Sequence, residues 1–164
     1  VKSTIEKLNG AVEFTSEKDR GSIFSLKLPL TMAIFKSLFV GINDETYAIP
    51  ISNIIETVKL SKKDINHIKG TKTTVLRNEV LPLLHLSSLL NLPEKTKEKD
   101  EIFSVIVQKE DKKFGLIVDR LIGQQEITIK NAGASMKKAK GIAGVTITGD
   151  GRVILVLDLN TLIS

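Results

Sequence analysis

The chain has 164 residues, of which 41% are hydrophobic and 26% are charged, and these proportions are those of an ordinary soluble globular protein with one or two small domains. It contains no cysteine, which excludes disulfides, thiolate nucleophiles and cysteine-ligated metals and fits a cytosolic protein, and no apolar run is long enough to predict a membrane span. The net charge of +5 raises the alternative of nucleic-acid binding, but the lysines are scattered through apparent turns and aromatic residues make up only 4%.

The first part of the chain predicts a short helix followed by a hairpin. Residues 1–9 carry apolar side chains at helical spacing, and Gly10 is placed to end the helix. Residues 11–16 are a strand candidate, a charged turn ends at Gly21, and residues 22–30 alternate between apolar and polar side chains. Alone, this piece is too small to bury its own apolar face, and the sequence leaves open whether it folds without a parent domain.

The rest of the chain reads as short strands separated by turns. The apolar runs that predict strands are 38–42, 47–51, 73–76 and 80–84, and then, after a charged stretch at 93–101, 103–107, 114–118, 127–129, 145–148 and 153–157. Pro50 lies inside one of them, which predicts an edge strand or a bulge there. Many short strands at regular spacing are typical of small barrels or a sandwich.

These strands form two sets that resemble each other. Residues 38–56 align without a gap with residues 105–123, and residues 80–90 align with residues 153–163 after a short insertion. We also expect a small helical or loop element after the second strand of each set, at 52–60 and 119–126. The pattern favours an internal duplication, although loosely similar strand–turn–strand runs also align by chance.

Residues that carry chemistry are sparse. The two histidines are expected in ordinary positions, His67 on the surface and His85 in a half-buried strand, and their spacing fits no zinc motif. The chain has no nucleophile elbow, P-loop or dinucleotide fingerprint, and its carboxylates form no convincing acid–base pair. The sequence therefore predicts no self-contained active site and no metal or cofactor.

Two stretches nevertheless resemble a known family. Residues 1–31 resemble the closing segment of the ATP-binding domain of histidine kinases, which ends in a motif matched here by Gly21, Ser22, Phe24, Leu26, Leu28 and Pro29. Serine replaces the commoner threonine at Ser22. The runs that follow, at 47–51, 75–83, 114–119 and 149–153, resemble in this order the CheW-like regulatory domain of chemotaxis histidine kinases of the CheA type.

This resemblance implies a mainly β fold of two intertwined five-stranded barrels of the Src-homology-3-like type, preceded by a short helix-hairpin fragment. Residues 1–31 then belong to the ATP-binding domain and residues 32–164 to the regulatory domain, with one barrel mainly from 35–92 and the other mainly from 102–161. Strands exchanged between the barrels are compatible with the duplication.

The resemblance also implies partners and a place in the cell. The partners are a CheW-type adaptor, the cytoplasmic tips of chemoreceptors and the ATP-binding domain of the parent kinase, in receptor arrays at the cytoplasmic side of the membrane. The parent enzyme phosphorylates itself on a histidine, using ATP and magnesium. Of that nucleotide site only Gly21 and Ser22 are matched, so we expect this chain to have no catalysis of its own.

One hairpin is a candidate docking surface. Residues 73–81 carry apolar side chains in both alternation phases, so one phase is expected to face outward. We therefore predict that Val75, Leu76 or Leu81, with Ile42 from a neighbouring strand, contacts the adaptor. The alternative at this stage is that all four side chains belong to the core.

Other functions remain as alternatives to a kinase regulatory module. A free-standing CheW-type adaptor has the same fold and partners, but it has no reason to begin with residues 1–31. A nucleic-acid-binding pair of barrels is distinguished by a steep dependence of binding on salt.

Overall fold

The computed structural model describes residues 1–7, 10–28, 34–95, 99–130 and 139–163. The chain forms two compact units, Val1–Ala33 and Ile34–Ser164.

The first unit is a helix and a hairpin, as predicted. Helix α1 spans Lys2–Lys7, and strands β1 (Ala11–Glu17) and β2 (Gly21–Lys27) pair in antiparallel fashion. The rings of Phe14 and Phe24 face each other across the pair, with centroids 5.0 Å apart. The predicted ends of the helix and of the second strand, including Pro29, lie outside the described residues.

The second unit is built almost entirely of strands. Its described strands are β3 (Ile34–Ile42), β4 (Glu45–Pro50), β5 (Ile54–Ser61), β6 (Ile65–Ile68), β7 (Thr71–Leu76), β8 (Glu79–His85), β9 (Glu101–Lys109), β10 (Lys112–Val118), β11 (Arg120–Thr128), β12 (Ile142–Ile147) and β13 (Val153–Leu157). Two single-turn helices follow equivalent strands, α2 (Leu86–Leu89) after β8 and α3 (Leu159–Leu162) after β13. The predicted mainly β class is confirmed.

Each sheet combines strands from both halves of the unit. One sheet has six strands in the order β5-β9-β10-β8-β7-β6, and the other has five in the order β11-β3-β4-β13-β12. The hairpin β3–β4 of the first half thus joins the sheet of the second half, and β9–β10 joins that of the first. The expected intertwining is present, and the exchange means that 35–92 and 102–161 do not each form a sheet of their own.

The sheets are curled but are not the closed five-stranded barrels that were expected. The edge strands β5 and β6 are joined by the single 3-10 turn Lys62–Asp64, which brings the two edges of the six-stranded sheet together at one corner. In the other sheet, Lys130 and Val145 exchange backbone hydrogen bonds of 2.8 and 3.0 Å and link the ends of its edge strands. Among the described residues, the edge strands of each sheet form no further backbone pairs with each other, so each sheet is only partly closed.

The duplication extends to the register of the strands. Ile54 pairs with Val107 in one sheet, and the equivalent Leu121 pairs with Val40 in the other. A β-bulge follows each of these pairs, between Ile54 and Glu56 and between Leu121 and Gly123. A shared register and a shared bulge are hard to reconcile with chance similarity, because a slip of one residue exchanges the two faces of a strand.

Two local predictions are corrected. The segments at 52–60 and 119–126 are not helical or loop elements, because strands β5 and β11 occupy most of them and pair with β9 and β3. Pro50 is not in an edge strand, since β4 lies between β3 and β13. The proline is tolerated because it ends β4, beyond the residues that pair with β13.

The largest core cluster is shared by the two halves. The fully enclosed side chains of the first half that belong to it include Val40, Ile49 and Leu86, and those of the second half include Val107, Leu116 and Leu157. Since both halves supply side chains to one core, neither half has a complete core of its own.

Tyr47 lies in this core and provides a first testable prediction. Its hydroxyl donates to the Glu45 carboxylate at 3.0 Å, and burial followed by this contact raises the pKa of Tyr47 to about 12. The neutral phenol therefore stabilises the fold below the ordinary pKa of about 10, and this contribution is lost as the pH rises toward 12.

The chain has a single tyrosine and no tryptophan, so the phenolate absorbance measures this pKa directly. We expect Glu45→Gln to lower the pKa only in part, since burial is the larger cause. A titration midpoint near the ordinary value in protein that is still folded by circular dichroism would contradict the assignment.

Candidate functional site

The β7–β8 hairpin exposes an apolar pair of side chains. Val75 and Val80 lie directly opposite each other in the antiparallel register, and each is 56% exposed. The neighbouring pair, Thr74 and Leu81, is buried on the other face. We call Val75 and Val80 the hairpin patch. Directly opposed side chains of this kind form one continuous surface, because their Cβ atoms are about 5 Å apart.

The turn of this hairpin is tight and fixed by ion pairs. Arg77 and Asn78 have φ of 49° and 66°, the pair of positive values that a two-residue type I′ turn requires. The Arg77 guanidinium donates to the Glu56 carboxylate on β5 at 3.1 Å, and Lys113 on β10 contacts Glu79 at 2.8 Å. These contacts link the turn to two other strands of the same sheet.

The structure separates the four residues that were predicted to dock the adaptor. Val75 is exposed and Leu76 beside it is half-buried. Ile42 and Leu81 are buried, at 2% and 4% exposure, and Ile42 lies in β3 of the other sheet. Neither buried residue is available to a partner, because the inward phase of each strand packs into the core.

Sequence reasoning missed Val80 and a second, equivalent pair. Ile147 and Val153 lie opposite each other next to the β12–β13 turn and are 50% and 64% exposed. The signal was present, since these two apolar residues flank the Asp150–Gly151 turn in the sequence. We call Ile147 and Val153 the second-hairpin patch.

The bulges add one exposed side chain to each half. Ile55 and Ile122 are the residues left unpaired where the register shifts, and they are 42% and 48% exposed. Bulges often re-aim a side chain in this way, so both halves present isoleucine to solvent at equivalent positions.

Gly21 and Ser22, the two residues that the sequence resemblance matched to a nucleotide site, lie in the first unit. Gly21 opens β2 with φ of 105°, a backbone conformation that favours glycine, and the Ser22 hydroxyl donates to the Ser16 hydroxyl at 3.0 Å. Both residues are exposed. Among the residues that the structure describes, no group of three acidic or histidine side chains is arranged to hold a metal ion, and no helix is long and apolar enough to cross a bilayer.

Comparison with known proteins identifies relatives for the whole chain. It is 43% identical over 162 residues to "Sensor histidine kinase CheAY" of Helicobacter pylori, which covers 99% of the chain and 20% of that protein. It is 37% identical over 163 residues to "Chemotaxis protein CheA" of Bacillus subtilis, covering 99% of the chain and 24% of that protein. The chain thus spans about a fifth to a quarter of the length of these relatives.

A solved structure has the same fold. The scaffolding protein TtCheW from Thermoanaerobacter tengcongensis superposes with a TM-score of 0.69 at 23% identity, covering 80% of this chain and 94% of that one. The family described as the CheW-like domain matches residues 36–164. The resemblance read from the sequence is confirmed, and the chain belongs to the CheW-like domain family.

Proposed function

We propose that the chain is the regulatory and coupling module of a CheA-type chemotaxis histidine kinase. In this role it docks a CheW-type adaptor and the cytoplasmic tips of chemoreceptors, at arrays on the cytoplasmic side of the membrane, and so controls autophosphorylation by the kinase. The observation that carries the proposal is the similarity to CheA proteins over 99% of the chain, which includes residues outside the CheW-like match at 36–164.

The same observation argues against a free-standing adaptor. The CheW structure covers only 80% of this chain, whereas the CheA relatives also align with the first unit. The first unit exposes large apolar side chains on its hairpin, among them Phe14, Ile23 and Phe24 at 61–69%. Such a surface suits packing against the remainder of a kinase ATP-binding domain.

The hairpin patch is the part of the second unit that we assign to adaptor docking. Val75 and Val80 form an apolar strip, and the charged residues Arg77 and Glu79 lie at the adjoining turn. An apolar centre with a polar rim is the usual composition of a protein interface.

A binding experiment tests this function. The full chain, immobilised, is expected to retain a purified CheW-type adaptor and, in a separate arm, a chemoreceptor cytoplasmic tip. Retention should persist at elevated salt, because the proposed contact is apolar. If neither partner is retained at micromolar concentration, the coupling role is wrong. Retention that instead falls steeply with salt would favour a charge-driven surface elsewhere.

Catalysis by this chain alone is not part of the proposal. Gly21 and Ser22 are the only nucleotide-site residues that the resemblance carries over, so we expect no measurable ATP affinity and no phosphotransfer. Calorimetric titration with ATP and magnesium is expected to give only heats of dilution. A saturable heat with a micromolar dissociation constant would show that the chain holds a working nucleotide site.

A further inference from the structure

A cavity of about 440 Å³ is lined mainly by residues of the six-stranded sheet and its loops. Its lining mixes apolar and charged side chains, and the apolar ones include Ile42, Ile65, Ile102, Ile117 and Val118. The volume falls within the range of small-ligand sites.

Basic side chains from three neighbouring strands, β6, β7 and β8, meet in the cavity lining. His67 on β6 lies directly opposite Lys72 on β7, and the Lys72 ammonium is 3.1 Å from Nε2 of His85 on β8. Burial, followed by the nearby Lys72, lowers the pKa of His85, and Glu94 and Asp119 oppose this shift. The ring of His85 is therefore neutral at neutral pH, and its Nε2 accepts from Lys72.

The acidic groups of the cavity already have partners. Glu101 pairs with Lys59 at 2.7 Å, and Asp119 accepts from the backbone N–H of Asn43 at 2.6 Å. Glu94 accepts from Ser88 at 3.3 Å and is 4.0 Å from Nδ1 of His85. In the described part of the chain, no carboxylate lies within 4.0 Å of the Lys72 ammonium. Among the described residues, the lining holds three lysines and three carboxylates, so its formal charges balance, but the positive charge of Lys72 is not neutralised by a contacting carboxylate.

The second half of the duplication shows what the first half lacks. At the position of Ile42 it has Lys109, whose ammonium donates to the backbone carbonyls of Asn160, at 2.9 Å, and Ile163 at the end of α3. At the position of His85 it has Asp158, which accepts from the N–H of Asn160 at 3.0 Å and caps α3.

In the first half neither of these roles is kept. Ile42 has no polar atom to offer the helix, and His85 makes no side-chain capping bond to α2 but contacts Lys72 instead. His85 therefore does not have the capping role that Asp158 has in the second half, and its ring contacts Lys72 in the cavity lining instead.

We infer that this cavity binds a small organic anion, in which a phosphate or carboxylate group is carried on an apolar body. The anionic group contacts Lys72 and His67, beside the His85 ring, and the apolar body lies against Ile65 and Ile117. This site is independent of the hairpin patch and goes beyond the coupling function. An anion here also favours the protonated His85 ring, since an opposite charge raises the pKa of a histidine.

Phenyl phosphate is the probe, titrated into the full isotope-labelled chain at neutral pH and followed by the histidine ring and backbone resonances. We expect saturable shifts at His67, His85 and the β6–β7 amides, with a dissociation constant of about 1 mM. The pKa of His85 should rise in the complex. Phenol, which lacks the charge, and inorganic phosphate, which lacks the apolar body, should each bind roughly tenfold more weakly.

Lys72→Gln is the test variant and Lys112→Gln is its matched control, because Lys112 carries the same charge on the exposed surface away from the cavity. Lys72→Gln is expected to weaken phenyl phosphate binding roughly fivefold, and Lys112→Gln to leave it unchanged. The inference is overturned if no shift saturates at tens of millimolar, if phenol binds as well as phenyl phosphate, or if both variants weaken binding equally.

Discussion

Truncating Leu116 to alanine is expected to lower the free energy of unfolding of the Ile34–Ser164 unit by about 2–5 kcal/mol. Leu116 is completely buried in the core cluster that both halves share. The loss combines the transfer of the missing methyl and methylene groups with the cavity left in a core that relaxes only partly. A change of this size is a large part of the stability of an ordinary domain.

Because the two halves exchange hairpins, this loss of stability affects the whole Ile34–Ser164 unit. Leu116 lies in β10, which contributes to the six-stranded sheet, and its duplicate Ile49 lies in β4 of the other sheet. Both side chains are fully buried in one cluster. We therefore expect Ile49→Ala to be as damaging as Leu116→Ala, and each variant to unfold in a single transition.

Tyr47 fluorescence and circular dichroism in a denaturant series measure these effects. The only tyrosine of the chain lies in this unit, so its signal reports the shared core. Ile122→Ala is the control, because this bulge residue is 48% exposed and its truncation should cost less than about 1 kcal/mol. Two separated transitions in the Tyr47 signal, which comes from the Ile34–Ser164 unit, would mean that the halves fold independently.

The duplication could be predicted because the two halves share the same local alternation of apolar and polar residues. The apolar alternation in residues 38–56 and 105–123 sets which side chains point inward, and equivalent inward patterns give equivalent strands, registers and bulges. The same alternation does not specify which strand lies next to which. Strand β3 would bury the same side chains beside β5 as it does beside β11, so its partner is decided by tertiary packing.

The extent to which the sheets close could not be predicted from local sequence patterns either. Whether β5 continues to a hydrogen-bonded contact with β6 depends on the path of the three-residue turn Lys62–Asp64 and on the curvature of the whole sheet. Neither the path of this turn nor the curvature of the sheet produces a periodic pattern in the sequence. Intertwining was predicted through the family resemblance, whereas six strands and partial closure became evident only in the structure.

The β7–β8 hairpin shows how far the candidate site could be predicted from the sequence. Residues 75–76 and 80–81 are apolar in both phases, so alternation alone cannot tell Val80 from Leu81. The phase is set by contacts from elsewhere, among them the hydrogen bond of 2.9 Å from the Thr74 hydroxyl to the Asp64 carbonyl. This contact lies on the inward face, which places Leu81, opposite Thr74, in the core and leaves Val75 and Val80 outside.

Replacing Val75 by glutamate is expected to abolish adaptor binding at micromolar concentration. A carboxylate at the centre of an apolar contact is desolvated without a partner, and disruption of a central contact typically costs about 2 kcal/mol or more, roughly thirtyfold in affinity. The free energy of unfolding should change by no more than about 1 kcal/mol, because the side chain is 56% exposed in the free protein. Adaptor binding by calorimetry and stability by denaturant unfolding measure the two quantities.

Val153→Glu is the matched control, because it makes the same substitution in the duplicated hairpin, where Val153 is 64% exposed opposite Ile147. Both variants add one negative charge and lose the same strand preference, so a general effect of charge or stability would weaken both equally. We expect only Val75→Glu to lose the adaptor, since the two turns differ. The first is held by the Arg77–Glu56 ion pair, whereas at the second Arg152 is paired with Asp150 within its own loop. Loss of binding with Val153→Glu alone would move the docking surface to the second-hairpin patch, and normal binding by both variants would exclude the two hairpins together.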